Sequence, residues 1–332
     1  MSDSAAPRRP DEDHGHPRGR AIVVGTGVIG LTTALTALRA GFRVTISADR
    51  LPAETTSAKA GASFKPHEVA HNHLADVVIQ ESWDEFSRIV ERFGSDATGV
   101  RMHTHWEASS VPRPRPWYAD VVQDATEWAS PDVPGGYRFG WSYRTFFIDV
   151  PIFLGWLEGE IRDAGGAFER VTRPYADLGE LERLPVEVVF NCTGMGAQVL
   201  ANDDQMMPMK GQIAVVPATP GMDWSISADG FYVYPRRGET VLGGTVERGI
   251  DNETVDPSAV QLIVRGNRRI LPDLDPASVI RTYAGARPYR HGSIRLEVDP
   301  VARKVIHNYG HGGAGFTLCW GSAAAAVELA KG

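Results

Sequence analysis

Three glycines, Gly25, Gly27 and Gly30, stand as Gly-x-Gly-x-x-Gly directly behind the apolar run Ala21-Ile22-Val23-Val24. A strand that feeds such a turn into a helix offers free N–H groups and a positive dipole end to a pyrophosphate. Gly25 permits the tight turn, Gly27 lets the backbone approach the phosphates, and Gly30 lets helix and strand pack closely. Val28 and Ile29 open the helix at the phosphate end, Leu31, Leu35 and Leu38 give it an apolar stripe, and Gly41 closes it. Phe42 to Ser47 reads as the second strand. Asp49 follows at its carboxyl end, nineteen positions after Gly30, where a carboxylate accepts both ribose hydroxyls of an adenosine. Arg50 beside it reads either as a 2′-phosphate clamp or as part of a solvated Asp-Arg turn. The fingerprint points to a dinucleotide and leaves FAD and NAD open.

The elements that position these residues must come from a chain of 332 residues, enough for two domains or one domain with an inserted unit. A hydrophobic share of 42% with 23% charged residues is that of an ordinary soluble globular protein, and a formal charge of −7 speaks against nucleic acid as a partner. Cys192 and Cys319 form no disulfide framework and suit a reducing cytoplasm. No apolar run reaches the roughly 18 residues of a membrane span, so no membrane contact is expected. Residues 1–20 read as a disordered tail. Thr55, Thr56 and Ser57 begin a polar loop, and Ile79, Trp83, Phe86, Val90 and Phe93 mark a helix from about Asn72 to Phe93, ended by Gly94. From Gly99 the helical pattern fades. Pro112, Pro114, Pro116, Pro131 and Pro134 break the chain into loops before strands over Arg138 to Phe147. A helix after Pro151, a strand over Ala167 to Thr172 and another over Val186 to Asn191 follow. Gly211 to Arg248 alternates like antiparallel sheet, Pro257 to Ile270 reads as helix, and a glycine-rich loop over Gly310 to Gly315 leads into a last apolar helix. His71, His73, His103 and His105 have metal-like spacing but lack a convincing partner set, so no metal site is expected.

Several later segments, read with the fingerprint, resemble the D-amino-acid oxidase family of FAD enzymes, which includes D-aspartate oxidases. They are Phe190-Asn191-Cys192-Thr193-Gly194, Tyr232-Val233-Tyr234-Pro235 with Leu242-Gly243-Gly244-Thr245, Gly285-Ala286-Arg287-Pro288, and His307 to Gly315. Asp49-Arg50 also matches the family's ribose-binding pair. The resemblance covers nearly everything from Ala21 to Leu329 and implies FAD as the cofactor. It implies an α/β fold: a Rossmann-type FAD-binding domain (21–70, 150–210 and 280–332) interleaved with an α+β substrate domain on a mostly antiparallel sheet (71–149 and 211–279). It further implies a role at the cofactor for Thr55, Thr56, Ser57, Ala62, Ser63, Val171, Thr193 and Gly194, and for Gly312, Gly313, Ala314, Gly315, Phe316 and Thr317.

The implied chemistry is hydride transfer from the α-carbon of an amino acid, which needs rigid placement more than acid–base groups. By resemblance Arg287 grips the substrate α-carboxylate, for which its planar fork is suited. Tyr232 adds a hydroxyl to the same carboxylate, and the Gly313 carbonyl accepts from the amine. The first turn of the last helix, with Thr317, faces the N1–C2=O end of the flavin. The products would be a 2-oxo acid, ammonia and, with molecular oxygen as partner, hydrogen peroxide. A homodimer is a possible assembly. The pocket departs from the pattern at Ala228, where many members have an aromatic lid residue, and at Val246. A D-aspartate-preferring relative typically has Arg at the latter position, so Val246 argues against a simple D-aspartate oxidase. Lys65 either pairs with a substrate side-chain carboxylate, aids oxygen by its charge, or snorkels to solvent. These departures keep two alternatives open: a specialised member acting on a modified amino acid or cyclic amine, and a non-catalytic FAD-binding scaffold or sensor.

Overall fold

Fifteen strands make two sheets in a computed structural model that describes residues 18–128 and 133–332. Most of the expected tail, residues 1–17, and the break expected at Pro131 lie outside the described residues. The strands are β1 (Arg20–Val24), β2 (Arg43–Ala48), β3 (Val100–Ser109), β4 (Gln123–Trp128), β5 (Phe139–Ile148), β6 (Ala167–Arg170), β7 (Val188–Asn191), β8 (Met206–Pro217), β9 (Trp224–Ala228), β10 (Phe231–Arg236), β11 (Glu239–Gly243), β12 (Glu247–Arg248), β13 (Arg281–Arg290), β14 (Arg295–Val298) and β15 (Val305–Tyr309).

The first sheet has the order β14-β15-β7-β1-β2-β6, parallel except for β14 against β15. Its central strand β1 runs straight into the first helix, Val28–Arg39, which packs on the last, Gly315–Leu329. The chain leaves β1 for β2 on one side and returns to β7 on the other. A crevice therefore opens beyond the carboxyl ends of β1, β2 and β7, where doubly wound sheets take nucleotides. The helix His73–Phe93 lies against the last helix. Asn72 caps it, its Oδ1 accepting from the Ala75 N–H at 2.9 Å, and Gly94 ends it with φ of 79°.

The second sheet has the order β12-β8-β11-β10-β9-β3-β5-β4, with β13 along β8. All its pairings are antiparallel except β3 with β9. Two features differ from the sequence reading. β13 pairs with β8 over ten residues, from Arg281↔Val215 to Arg290↔Met206, so the segment carrying Arg287 belongs to this sheet and not to the nucleotide half. β3 is a ten-residue strand where loops were expected. Its inward face carries polar side chains, which hides the usual alternation: buried His103 and His105 both bond to Ser225 Oγ, at 2.9 and 2.7 Å.

Candidate active site

One cavity of about 1090 Å³ runs from the carboxyl ends of β1, β2 and β7 to the face of β8, β10 and β13. Its first half is walled mainly by backbone. Gly25 has φ of +115°, and a Cβ there would lie 2.5 Å from the Cys192 carbonyl oxygen. A Cβ on Gly30 would lie 2.0 Å from the Gly25 carbonyl oxygen, so Gly30 closes the turn from behind and is not on the wall. Gly27 opens to the cavity and meets only Ser57 Oγ, which accepts from the Val28 N–H at 3.0 Å. Asp49 and Arg50 lie on the wall beyond β2, and Arg50 reaches Glu253 at 2.9 Å, a carboxylate shared with Lys59. Half of the Arg50 side chain stays exposed, so the rest of its guanidinium fork remains open.

The same wall includes Val28, Ile29, Thr55, Thr56, Ser57, Ala62, Ser63, Val171, Thr193, Gly194, Gly312, Gly313, Gly315, Phe316 and Thr317. Ala314 lies behind it, buried in the core. Neither Gly27 nor Ala314, the N-cap residues of Val28–Arg39 and Gly315–Leu329, supplies a side-chain cap, and the first turns of both helices border this cavity. Ser63 Oγ and Asn308 Oδ1, on residues of the same wall, are buried without a partner among the described residues. Two uncapped helix ends and two unsatisfied oxygens in one elongated cavity fit a large, polar, anionic dinucleotide such as FAD.

The second half is built of side chains laid on glycine. Arg287 on β13 lies flat over Gly211 of β8, where a Cβ would sit 2.2 Å from Nη2. Its Nη1 donates to the Thr245 carbonyl at 3.3 Å. Tyr232 on β10 lies across Gly243, its partner on β11, where a Cβ would sit 1.9 Å from Cζ. It stacks on Tyr234 with ring centroids 4.6 Å apart. Burial pushes its phenol up to about 12, though the Arg287 charge pulls the other way, so Tyr232 is a neutral donor at physiological pH. His67 packs on Gly313, whose Cβ would be 2.7 Å from Cδ2. Burial first, then the charges of Arg287 and Lys65, bring this imidazole down to about 4. His311 is held neutral by burial, down to about 3, and its Nε2 sits 3.1 Å from Ser322 Oγ.

Sequence reasoning named Lys65 in the farthest part of the pocket but missed its partners there. Lys65 Nζ lies 3.1 Å from Glu107 Oε1, with only 16% of its side chain exposed, so the ammonium does not snorkel. Glu107 Oε2 accepts from Tyr118 at 2.5 Å and Tyr143 at 3.2 Å. Burial pushes the Glu107 carboxyl up, but Lys65 and the two tyrosines outweigh it and hold the group below its ordinary range. The backbone of Lys65 is fixed at both ends by Thr317 Oγ1, which accepts from its N–H at 3.0 Å and donates to its carbonyl at 2.9 Å. Of these residues Lys65 and Thr317 stood out in the sequence, whereas Glu107, Tyr118 and Tyr143 gave no local signal. Ala228 is buried on the wall, whereas Val246 is 42% exposed and off it. The inference drawn from Val246 about substrate therefore lapses. Among the described residues no group of three His, Cys, Asp or Glu side chains gathers to hold a metal.

A Rossmann-type sheet, a mostly antiparallel second sheet and a shared cavity of this shape define a nucleotide-dependent oxidoreductase of the two-sheet flavoprotein class. The profile of the family described as FAD dependent oxidoreductase (DAO) matches residues 20–329. D-amino-acid oxidases of Rubrobacter xylanophilus and Streptomyces coelicolor are each 36% identical over 94% of this chain, and over 95% and 97% of their own lengths. D-aspartate oxidase of Homo sapiens is 33% identical over 93% of this chain and 94% of its own. Glycine oxidase from Geobacillus kaustophilus has the same fold, with a TM-score of 0.79 at 17% identity over 94% of this chain and 95% of that one. The chain belongs to the DAO family of FAD-dependent oxidoreductases, and FAD is its cofactor.

Proposed function

We propose that this protein oxidatively deaminates D-amino acids, turning substrate, oxygen and water into a 2-oxo acid, ammonia and hydrogen peroxide. Bound FAD supplies the two-electron acceptor for the hydrogen on Cα and passes those electrons to oxygen. The chain's own residues place the substrate. Arg287 takes the α-carboxylate in its guanidinium fork, held flat by the bare backbone of Gly211. Tyr232 donates a hydrogen bond from its phenol to the same carboxylate, and the Gly313 carbonyl accepts from the amine. His67 and His311 stay neutral at the working pH, so neither imidazole adds a charge beside the amine. The residues named above on the first half of the wall, with Gly30 and Ala314 supporting them from behind, hold the FAD. The labour divides between the sheets, with β13 counted in the substrate sheet. Two buried thiols free of any disulfide suit a reducing compartment such as the cytoplasm.

The observation that carries this reading is the pair Arg287 and Tyr232, each laid on a strand glycine in the cavity that the nucleotide fingerprint borders. The test is oxygen-dependent formation of peroxide and 2-oxo acid from matched D- and L-amino acids by the FAD-loaded protein. The expected result is turnover of D-enantiomers alone. Turnover confined to L-enantiomers, or inertness to every amino acid, would overturn it.

A further inference from the structure

Beyond Arg287 and Tyr232 the pocket carries an ammonium, a carboxylate and two phenols whose bonding can be counted group by group. The Glu107 side is nearly full: Oε1 faces Lys65 at 3.1 Å, and Oε2 accepts from Tyr118 and Tyr143. The Lys65 side is not. An ammonium has three N–H donors, and among the described residues Glu107 is its sole acceptor, although Lys65 is largely buried on the cavity wall. What the pocket lacks is an acceptor.

The position of that ammonium is fixed from both ends. Thr317 Oγ1 clamps the Lys65 backbone, while Glu107 holds the head group from β3, itself paired on both sides by β5 and β9. Arg287, Lys65 and His67 line the same cavity, and the charges of both cations act on His67. A substrate with an apolar side chain would cover donors it cannot satisfy, which is costly in a closed site. A cationic side chain would face the like charge of the Lys65 ammonium.

We infer that Lys65 reads the substrate side chain, its unfilled N–H groups taking the distal carboxylate of an acidic D-amino acid while Arg287 takes the α-carboxylate. Glu107 is then a positioning residue, aiming the ammonium and restraining its rotation. This rests on the D-amino-acid oxidase reading and narrows it to D-aspartate and D-glutamate.

The test compares kcat/KM of the FAD-loaded protein for D-aspartate and D-glutamate with their amides and with D-alanine. At least one acid should exceed its own amide by about tenfold or more. In Lys65→Met the acid-to-alanine ratio should fall by about tenfold or more. Lys65→Arg, which keeps the charge, should recover part of it. Binding of the non-reacting succinate against butyrate, read from the absorbance of the bound flavin, should lose its preference in Lys65→Met. A wild-type preference for the amides or for D-alanine overturns the inference, and this arm needs no variant to fold. An unchanged ratio in Lys65→Met also overturns it while leaving the oxidase reading intact. Failure to turn over any D-amino acid removes both.

Discussion

The two halves of the cavity are made of different materials. The nucleotide half is backbone: a positive-φ glycine, a glycine that admits a carbonyl, and two uncapped helix ends. The substrate half is side chains that converge from β3, β5, β10 and β13, two of them laid on strand glycines. Backbone recognition suits a cofactor whose phosphates and ring edges never change. Side-chain recognition lets one scaffold exchange substrates without disturbing the cofactor.

Replacing strand glycines separates the halves most strongly. In Gly243→Ala the new Cβ would stand 1.9 Å from the Tyr232 ring, so Tyr232 must leave its place. We predict a loss of kcat/KM of roughly 100-fold or more, the scale of about 1 Å misplacement, with FAD retained. Steady-state kinetics with the flavin spectrum recorded alongside checks this. A loss of FAD in that variant would break the division.

Gly30→Ala should do the reverse. Its Cβ meets the Gly25 carbonyl oxygen at 2.0 Å, which destabilises the turn by roughly 1–3 kcal/mol. FAD affinity should weaken by about tenfold, or ~1.4 kcal/mol, and the melting temperature should drop. Flavin fluorescence titration and thermal unfolding read the two effects. Protein saturated with FAD should keep its relative preference among substrates, because that choice is made at the other end.

Acid should act on both halves together, and more gently. Buried His103, His105, His307 and His311 are all pushed below the ordinary imidazole value, chiefly by burial, to about 3 for His103 and His311. Below pH 6.5 the unfolded chain takes up protons that these rings refuse when folded, so stability declines as pH falls from 6.5 toward those values. Each fully buried ring contributes a loss on the order of 1 kcal/mol by about pH 5.5. The melting temperature should fall between pH 7.5 and 5.5, with flavin release coinciding with unfolding. A melting temperature that holds or rises over that interval would contradict the burial of these rings.

The same contrast explains what could be read in the chain. Gly25, Gly27, Gly30 and Asp49 were legible because backbone chemistry fixes residue type at fixed spacing, and the helices were legible because apolar residues recur along one face. β3 was not: His103 and His105 occupy its inner face, each bonded through one ring nitrogen to a serine about 120 positions away in β9, and no local pattern announces that. Glu107, Tyr118 and Tyr143 were hidden for the same reason, since their partnership exists only once β3 and β5 pair. Arg287 and Tyr232 came from resemblance, and the glycine floors beneath them became visible only through the register of β8 with β13 and β10 with β11.

The central claim is that Arg287 anchors a D-amino acid for reaction with the bound flavin. Anaerobic mixing of the FAD-loaded protein with a D-amino acid, followed by the visible flavin absorbance, tests it most directly. The account predicts rapid bleaching by the wild type and bleaching at least ~1000-fold slower by Arg287→Ala with its flavin still bound. Reduction of Arg287→Ala at the wild-type rate, or no reduction of the wild type, would contradict it.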